Sequence, residues 1–103
     1  MRLPVLIFAA AWAVACSAHA EDPQALLQKY NCAICHATDE AKTGPAFVDV
    51  AAAYQEDPHA VSKIAGAIRK GLHGGGPWSM PPNPQVSAAD ATAIAQYILA
   101  LRK

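Results

Sequence analysis

Apolar residues recur at helical spacing along four stretches of the chain, and breaks rich in Gly and Pro separate them. Asp22-Pro23 opens the first stretch, with Asp as N-cap and Pro at the first helical position, and Leu26, Leu27 and Tyr30 give it an apolar side. In the second, Phe47, Val50, Ala51 and Tyr54 fall at i, i+3, i+4 and i+7. Asp57-Pro58 repeats the start signal for a third, with Val61, Ile64, Ala65, Ile68 and Leu72 in register. Ser87 starts the last, with Asp90 three residues on as a variant of the capping box. Ile94, Tyr97, Ile98 and Leu101 form its apolar face, and Arg102 and Lys103 sit where positive charge suits the helix dipole. The breaks are a polar loop from Asp39 to Pro45, the run Gly74-Gly75-Gly76-Pro77, and the stiff segment Pro81-Pro82-Asn83-Pro84. No stretch sustains a two-residue alternation, so the pattern predicts an all-α fold in a single domain.

The first twenty residues stand apart from this pattern. Arg2, the apolar run Val5 to Ala15 and the A-x-A site Ala18-His19-Ala20 read as a cleaved secretory signal peptide, residues 1–20, leaving a mature domain of residues 21–103. The run is shorter than the roughly 20 residues a membrane-spanning helix needs. Ala13-Val14-Ala15-Cys16 weakly resembles a lipoprotein processing site, so lipid anchoring at Cys16 is the minor alternative. Beyond residue 20 the chain keeps seven Lys and Arg against eight Asp and Glu, without the basic footprint that nucleic acid demands. Of its 3 Cys only Cys32 and Cys35 remain there, which excludes any wider disulfide framework. A domain this small buries a marginal core unaided and calls for a staple.

Cys32-Ala33-Ile34-Cys35-His36 supplies one. C-x-x-C-H is the attachment motif of a c-type haem: the two thiols add across the porphyrin vinyl groups, and the following His becomes an axial iron ligand. A thioredoxin-like redox pair would need a strand-helix context, and a zinc site a second ligand pair; both are missing. The second axial position has few candidates. Met80, beside stiffening prolines, is the only Met after the leader, with His59 and His73 as alternatives. A neutral thioether favours the reduced iron and raises the potential relative to a second imidazole. Met more often fills gaps in cores, but a Pro-rich loop is a poor place for core filler.

Taken together, these motifs resemble the small class I bacterial cytochromes c of the c551/c552 type. The likeness is carried by Glu21-Asp22-Pro23, Cys32 to His36, Gly44-Pro45-Ala46-Phe47, Val50 to Tyr54 and Met80-Pro81-Pro82-Asn83, and covers essentially the whole mature chain. It implies four to five helices wrapped around one covalent haem c, with the first and last helices packed together. It also implies supporting roles: the Pro45 carbonyl for His36 Nδ1–H, Asn83 near the Met80 sulfur, and the Trp78 indole on a haem propionate. Two positions depart from the family. Only Ser79 separates Trp78 from Met80, where the family has a longer W-G-x-x-P-M run, and Ala53 stands where Lys is common.

The expected function is that of a monomeric, periplasmic one-electron carrier, not an enzyme. It would exchange electrons with redox protein partners and have no stable membrane insertion after leader cleavage. Lys29, Lys42, Lys63, Arg69 and Lys70 are candidates for steering it to acidic partners. The alternatives are a haem-binding sensor with an open iron, or a haem subunit of a larger oxidoreductase.

Overall fold

The computed structural model describes residues 2–5, 21–73 and 79–101. The apolar run from Leu6, the Ala18-His19-Ala20 site expected to be cleaved, Cys16, the Gly74–Trp78 run and Arg102-Lys103 lie outside the described residues.

Among the described residues four α-helices make the fold: α1 (Pro23–Lys29), α2 (Phe47–Ala53), α3 (Ala60–Lys70) and α4 (Ala88–Ala100), with a short 3-10 turn at Cys32–Ile34. No strand occurs among the described residues, only isolated bridges between His36 and Ala41 and between Leu72 and Met80. The Asp22 side chain accepts from Gln24 N–H at the head of α1, and Ser87 accepts from Asp90 N–H at the head of α4, as their cap positions demand. The Asp90 carboxylate does not close the capping box. It accepts instead from the Tyr30 hydroxyl at 2.6 Å, which ties α1 to α4. That bond raises the Tyr30 phenol above its ordinary range, with desolvation adding to the shift.

Helix α4 is the spine. Ala91, Ile94, Ala95 and Ile98, spaced i, i+3, i+4 and i+7, are buried, and its two alanines leave room for close approach. Ile64 and Ile68 of α3, Leu26 of α1, Phe47 of α2 and Val86 from the preceding loop complete the core. A second link between the first and last helices is the Gln24 Nε2–H to Tyr97 hydroxyl bond at 3.3 Å.

Helix α3 departs from the sequence reading at both ends. Asp57 accepts from His59 N–H at 2.8 Å, but the helix begins only at Ala60, with exposed His59 as its N-cap. It stops at Lys70 because Gly71 takes φ +79°, so Leu72 leaves the helical register and sits 52% exposed.

Candidate functional site

The attachment motif is shaped by local backbone chemistry. Asn31 turns the chain with φ +60°, a conformation Asn tolerates better than most residues. The Cys32 carbonyl then accepts from both Cys35 N–H (3.2 Å) and His36 N–H (3.0 Å). In a 3-10 turn residues i and i+3 eclipse, so the two cysteines project to one side. Both are half-buried, and burial pushes the Cys32 thiol above its ordinary pKa.

The motif is bolted to the start of α2. Ala46, its N-cap, offers no side-chain acceptor, so the carbonyls of Ala37 and Thr38 take the Phe47 and Val48 N–H groups at 2.9 and 3.1 Å. Gly44 N–H donates to the Cys35 carbonyl at 2.7 Å. The Lys42 ammonium reaches back to the Ala33 carbonyl, between the two cysteines, at 2.9 Å.

The His36 ring is held on three sides. Its Nδ1 lies 2.8 Å from the Pro45 carbonyl oxygen. A carbonyl can only accept, so Nδ1 carries the proton, and the neutral form of the ring then has its lone pair on Nε2. Nε2 makes no hydrogen bond among the described residues. Phe47 stacks on the ring, with centroids 5.2 Å apart and planes 20° from parallel. A Cβ on Gly44 would press on His36 Cε1 and lie 2.7 Å from Nδ1 and 2.8 Å from Nε2, so only glycine fits there.

Cys32, Cys35, His36 and Met80 all line one cavity of about 590 Å³. Its remaining wall is mostly apolar and drawn from every helix: Leu27 from α1, Val50 from α2, Ile68 from α3, Ile94 and Ile98 from α4. Leu72, placed on the third helix by its spacing, contributes to this wall instead. A separate hollow of about 450 Å³ near Asp57 and Leu101 contains none of these four residues.

The chain matches the cytochrome c family model over residues 20–102. It belongs to the cytochrome c family. Cytochrome c-552 of Nitrosomonas europaea is 40% identical over 94 residues, 90% of this chain and 91% of that one. Cytochrome c-551 of Pseudomonas aeruginosa is 41% identical over 83 residues, 80% and 79% of the two chains. The crystal structure of the Nitrosomonas protein superposes with a TM-score of 0.74 at 42% identity, covering 77% of this chain and 99% of that one. The fold is thus that of a small class I cytochrome c of the c551/c552 type, and its cofactor is one covalently attached haem c.

The residues present fit such a group. The cavity is roomy and apolar, two thiols project into it from one side of the 3-10 turn, and a fixed imidazole offers an unengaged nitrogen.

The supporting residues of this cytochrome divide. Asn83 directs Nδ2 at backbone, not at sulfur: it donates to the carbonyls of Ile68 and Pro81, both at 3.2 Å, which uses both amide hydrogens. Asn83 therefore steadies the Met80 segment through its main chain. Trp78 lies outside the described residues.

Four of the five candidate steering residues have partners within the chain. Lys29 pairs with Glu21 at 3.5 Å, Lys63 with Asp57 at 2.6 Å, Lys42 serves the attachment motif, and Arg69 Nε donates to the Val86 carbonyl at 3.1 Å. Sequence reasoning missed the parts played by Gly44, Phe47, Lys42 and Gly71. Only the Gly44-Pro45 pair carried a visible signal, as a turn.

Proposed function

We propose that the chain is a periplasmic one-electron carrier whose haem c is tethered by Cys32 and Cys35 and ligated axially by His36 and Met80. The observation that carries this reading is the convergence of these four side chains on one apolar cavity, with the His36 tautomer already set by Pro45. When bound, haem c supplies an iron that changes charge by one between the oxidised and reduced protein.

Each residue has a task toward that change. Pro45 and Phe47 hold the His36 ring in one orientation in both redox states. Met80 would offer the iron a neutral sulfur, which would favour the reduced form and raise the potential. The apolar wall keeps water from the iron and limits rearrangement when an electron arrives or leaves. A site closed on both axial positions serves electron transfer; it has no place for a substrate, so the chain acts as a carrier and not as an enzyme.

Residues 1–20 act as the export signal in this reading, and the mature chain is a soluble monomer. Among the described residues no helix is long and apolar enough to cross a membrane. Its partners are redox proteins, met through small and short-lived interfaces.

Absorption spectra of the purified protein, oxidised and reduced, with and without CO, test the ligand set. The expected result is a weak far-red sulfur-to-iron band and no CO binding; Met80→Ala removes the band and admits CO. A five-coordinate spectrum or ready CO binding by the unaltered protein refutes the carrier reading. Mass spectrometry of the exported protein tests the rest: the expected chain starts at Glu21, with haem on the peptide holding Cys32 and Cys35. A lipid on Cys16 would overturn the soluble form.

A further inference from the structure

Three sets of hydrogen bonds fasten the C-terminal end of α3 to the segment that carries Met80. Leu72 N–H donates to the Met80 carbonyl at 3.0 Å. Asn83 sends both its backbone N–H (3.1 Å) and its side-chain Nδ2–H (3.2 Å) to the Ile68 carbonyl. Arg69 Nε–H donates to the Val86 carbonyl at 3.1 Å.

Gly71 stands at the centre of this seam, with φ +79° and ψ 172°, a region that essentially only glycine enters. A Cβ at Gly71 would lie 2.6 Å from the Met80 carbonyl oxygen, 2.9 Å from Pro82 N and 3.1 Å from the Pro81 carbonyl carbon. All three are backbone atoms and cannot rotate aside. Gly66, in the middle of α3, is the natural contrast: a Cβ there meets nothing within 4 Å.

We propose that Gly71 is a positioning residue for the axial Met80, and that its bare Cα lets the Met80 backbone close onto Leu72 and seal the iron against small molecules. The inference rests on Met80 being the ligand proposed above. Any side chain at position 71 must push Met80-Pro81-Pro82 outward or break the Leu72 bond. Two consecutive prolines have fixed φ and cannot absorb that shift locally, so it passes to Met80. A displaced Met80 leaves a fraction of molecules with an open iron, and an added ligand binds more tightly in proportion to that fraction.

The test compares holoprotein Gly71→Ala with Gly66→Ala, using imidazole as the probe. Gly71→Ala should keep its helical circular dichroism, lose most of the far-red band and bind imidazole at least about ten-fold more tightly. Gly66→Ala should match the unaltered protein in both readouts. An intact band in Gly71→Ala, with imidazole affinity within about two-fold of the unaltered protein, overturns the inference alone. An unaltered protein without the band overturns the Met80 assignment and this inference together. Should Gly71→Ala fail to fold, hydrogen exchange of the Leu72 amide in the unaltered holoprotein decides. Its protection should fall at least about ten-fold when saturating imidazole displaces Met80, and unchanged protection refutes the coupling.

Discussion

Leu26 and Leu27 are neighbours in sequence with separate tasks, and replacing each by Ala distinguishes them. Leu26 is 1% exposed and packs into the core with Ile94 and Ile98, yet it is not part of the haem cavity wall. Leu27 is half-buried and lines that wall. Truncating a fully buried Leu removes its burial energy and leaves a void, at a cost of about 3–5 kcal/mol. For a domain of this size each kcal/mol shifts the midpoint by roughly 4–8 °C, so Leu26→Ala should lower Tm by at least about 12 °C. Its visible spectrum and reduction potential should stay as they were. Leu27→Ala should cost less stability, because its side chain starts partly exposed, but should admit water beside the haem and shift the potential. Thermal melts by circular dichroism and potentiometric titration of the holoproteins supply both readouts. A fall below about 5 °C for Leu26→Ala, or a potential shift as large as that of Leu27→Ala, would refute this division.

Two further outcomes follow from the site and the surface. Gly44→Ala should tilt or expel the His36 ring, because the added Cβ meets all three of its nearest ring atoms; the visible spectrum of the holoprotein should lose its six-coordinate form, and a spectrum like that of the unaltered protein would disprove the steric argument. The Asp57–Lys63 pair should make stability pH-dependent at both extremes. The hydrogen bond from Lys63 holds the Asp57 carboxyl below its ordinary 3.8, so its contribution is present above that pH and fades as pH falls through the lowered value. The same bond raises Lys63 above 10.5, so its contribution is complete below that pH and fades as pH rises through the raised value. Lys63 is exposed and Asp57 half-buried at the surface, so salt still screens the pair and Asp57→Asn should flatten the acid side of the stability curve only slightly, as denaturant titrations across pH would show.

The sequence carried the parts of this protein that depend on periodicity and on residue chemistry. Spacing placed all four helices, Asp22 and Ser87 announced their caps, and C-x-x-C-H named the cofactor. What it did not carry depends on contacts between distant segments. Nothing local announces that Asp90 will serve Tyr30 instead of its own cap, since the two lie 60 residues apart. Leu72 fits the period of α3, but the positive φ of Gly71 ends the helix at Lys70. The family resemblance puts Asn83 beside the Met80 sulfur, whereas its amide donates to the Ile68 carbonyl near the end of α3 and to the Pro81 carbonyl. In the sequence Lys42 is one of five candidate steering charges, and only the fold brings its ammonium to the Ala33 carbonyl.

The position of α4 bears on the order of assembly. Ile94 and Ile98 form part of the wall around the two thiols, and they belong to α4, the most C-terminal of the described helices. Until that helix arrives, Cys32 and Cys35 face an unroofed surface made by the first half of the chain. The Tyr30–Asp90 bond then closes a loop of 60 residues, a step opposed by chain entropy and favoured once the cavity is filled. In an exported chain that has yet to fold, the two thiols therefore stay open to a large flat reactant, and the docking of α4 closes the cavity around it.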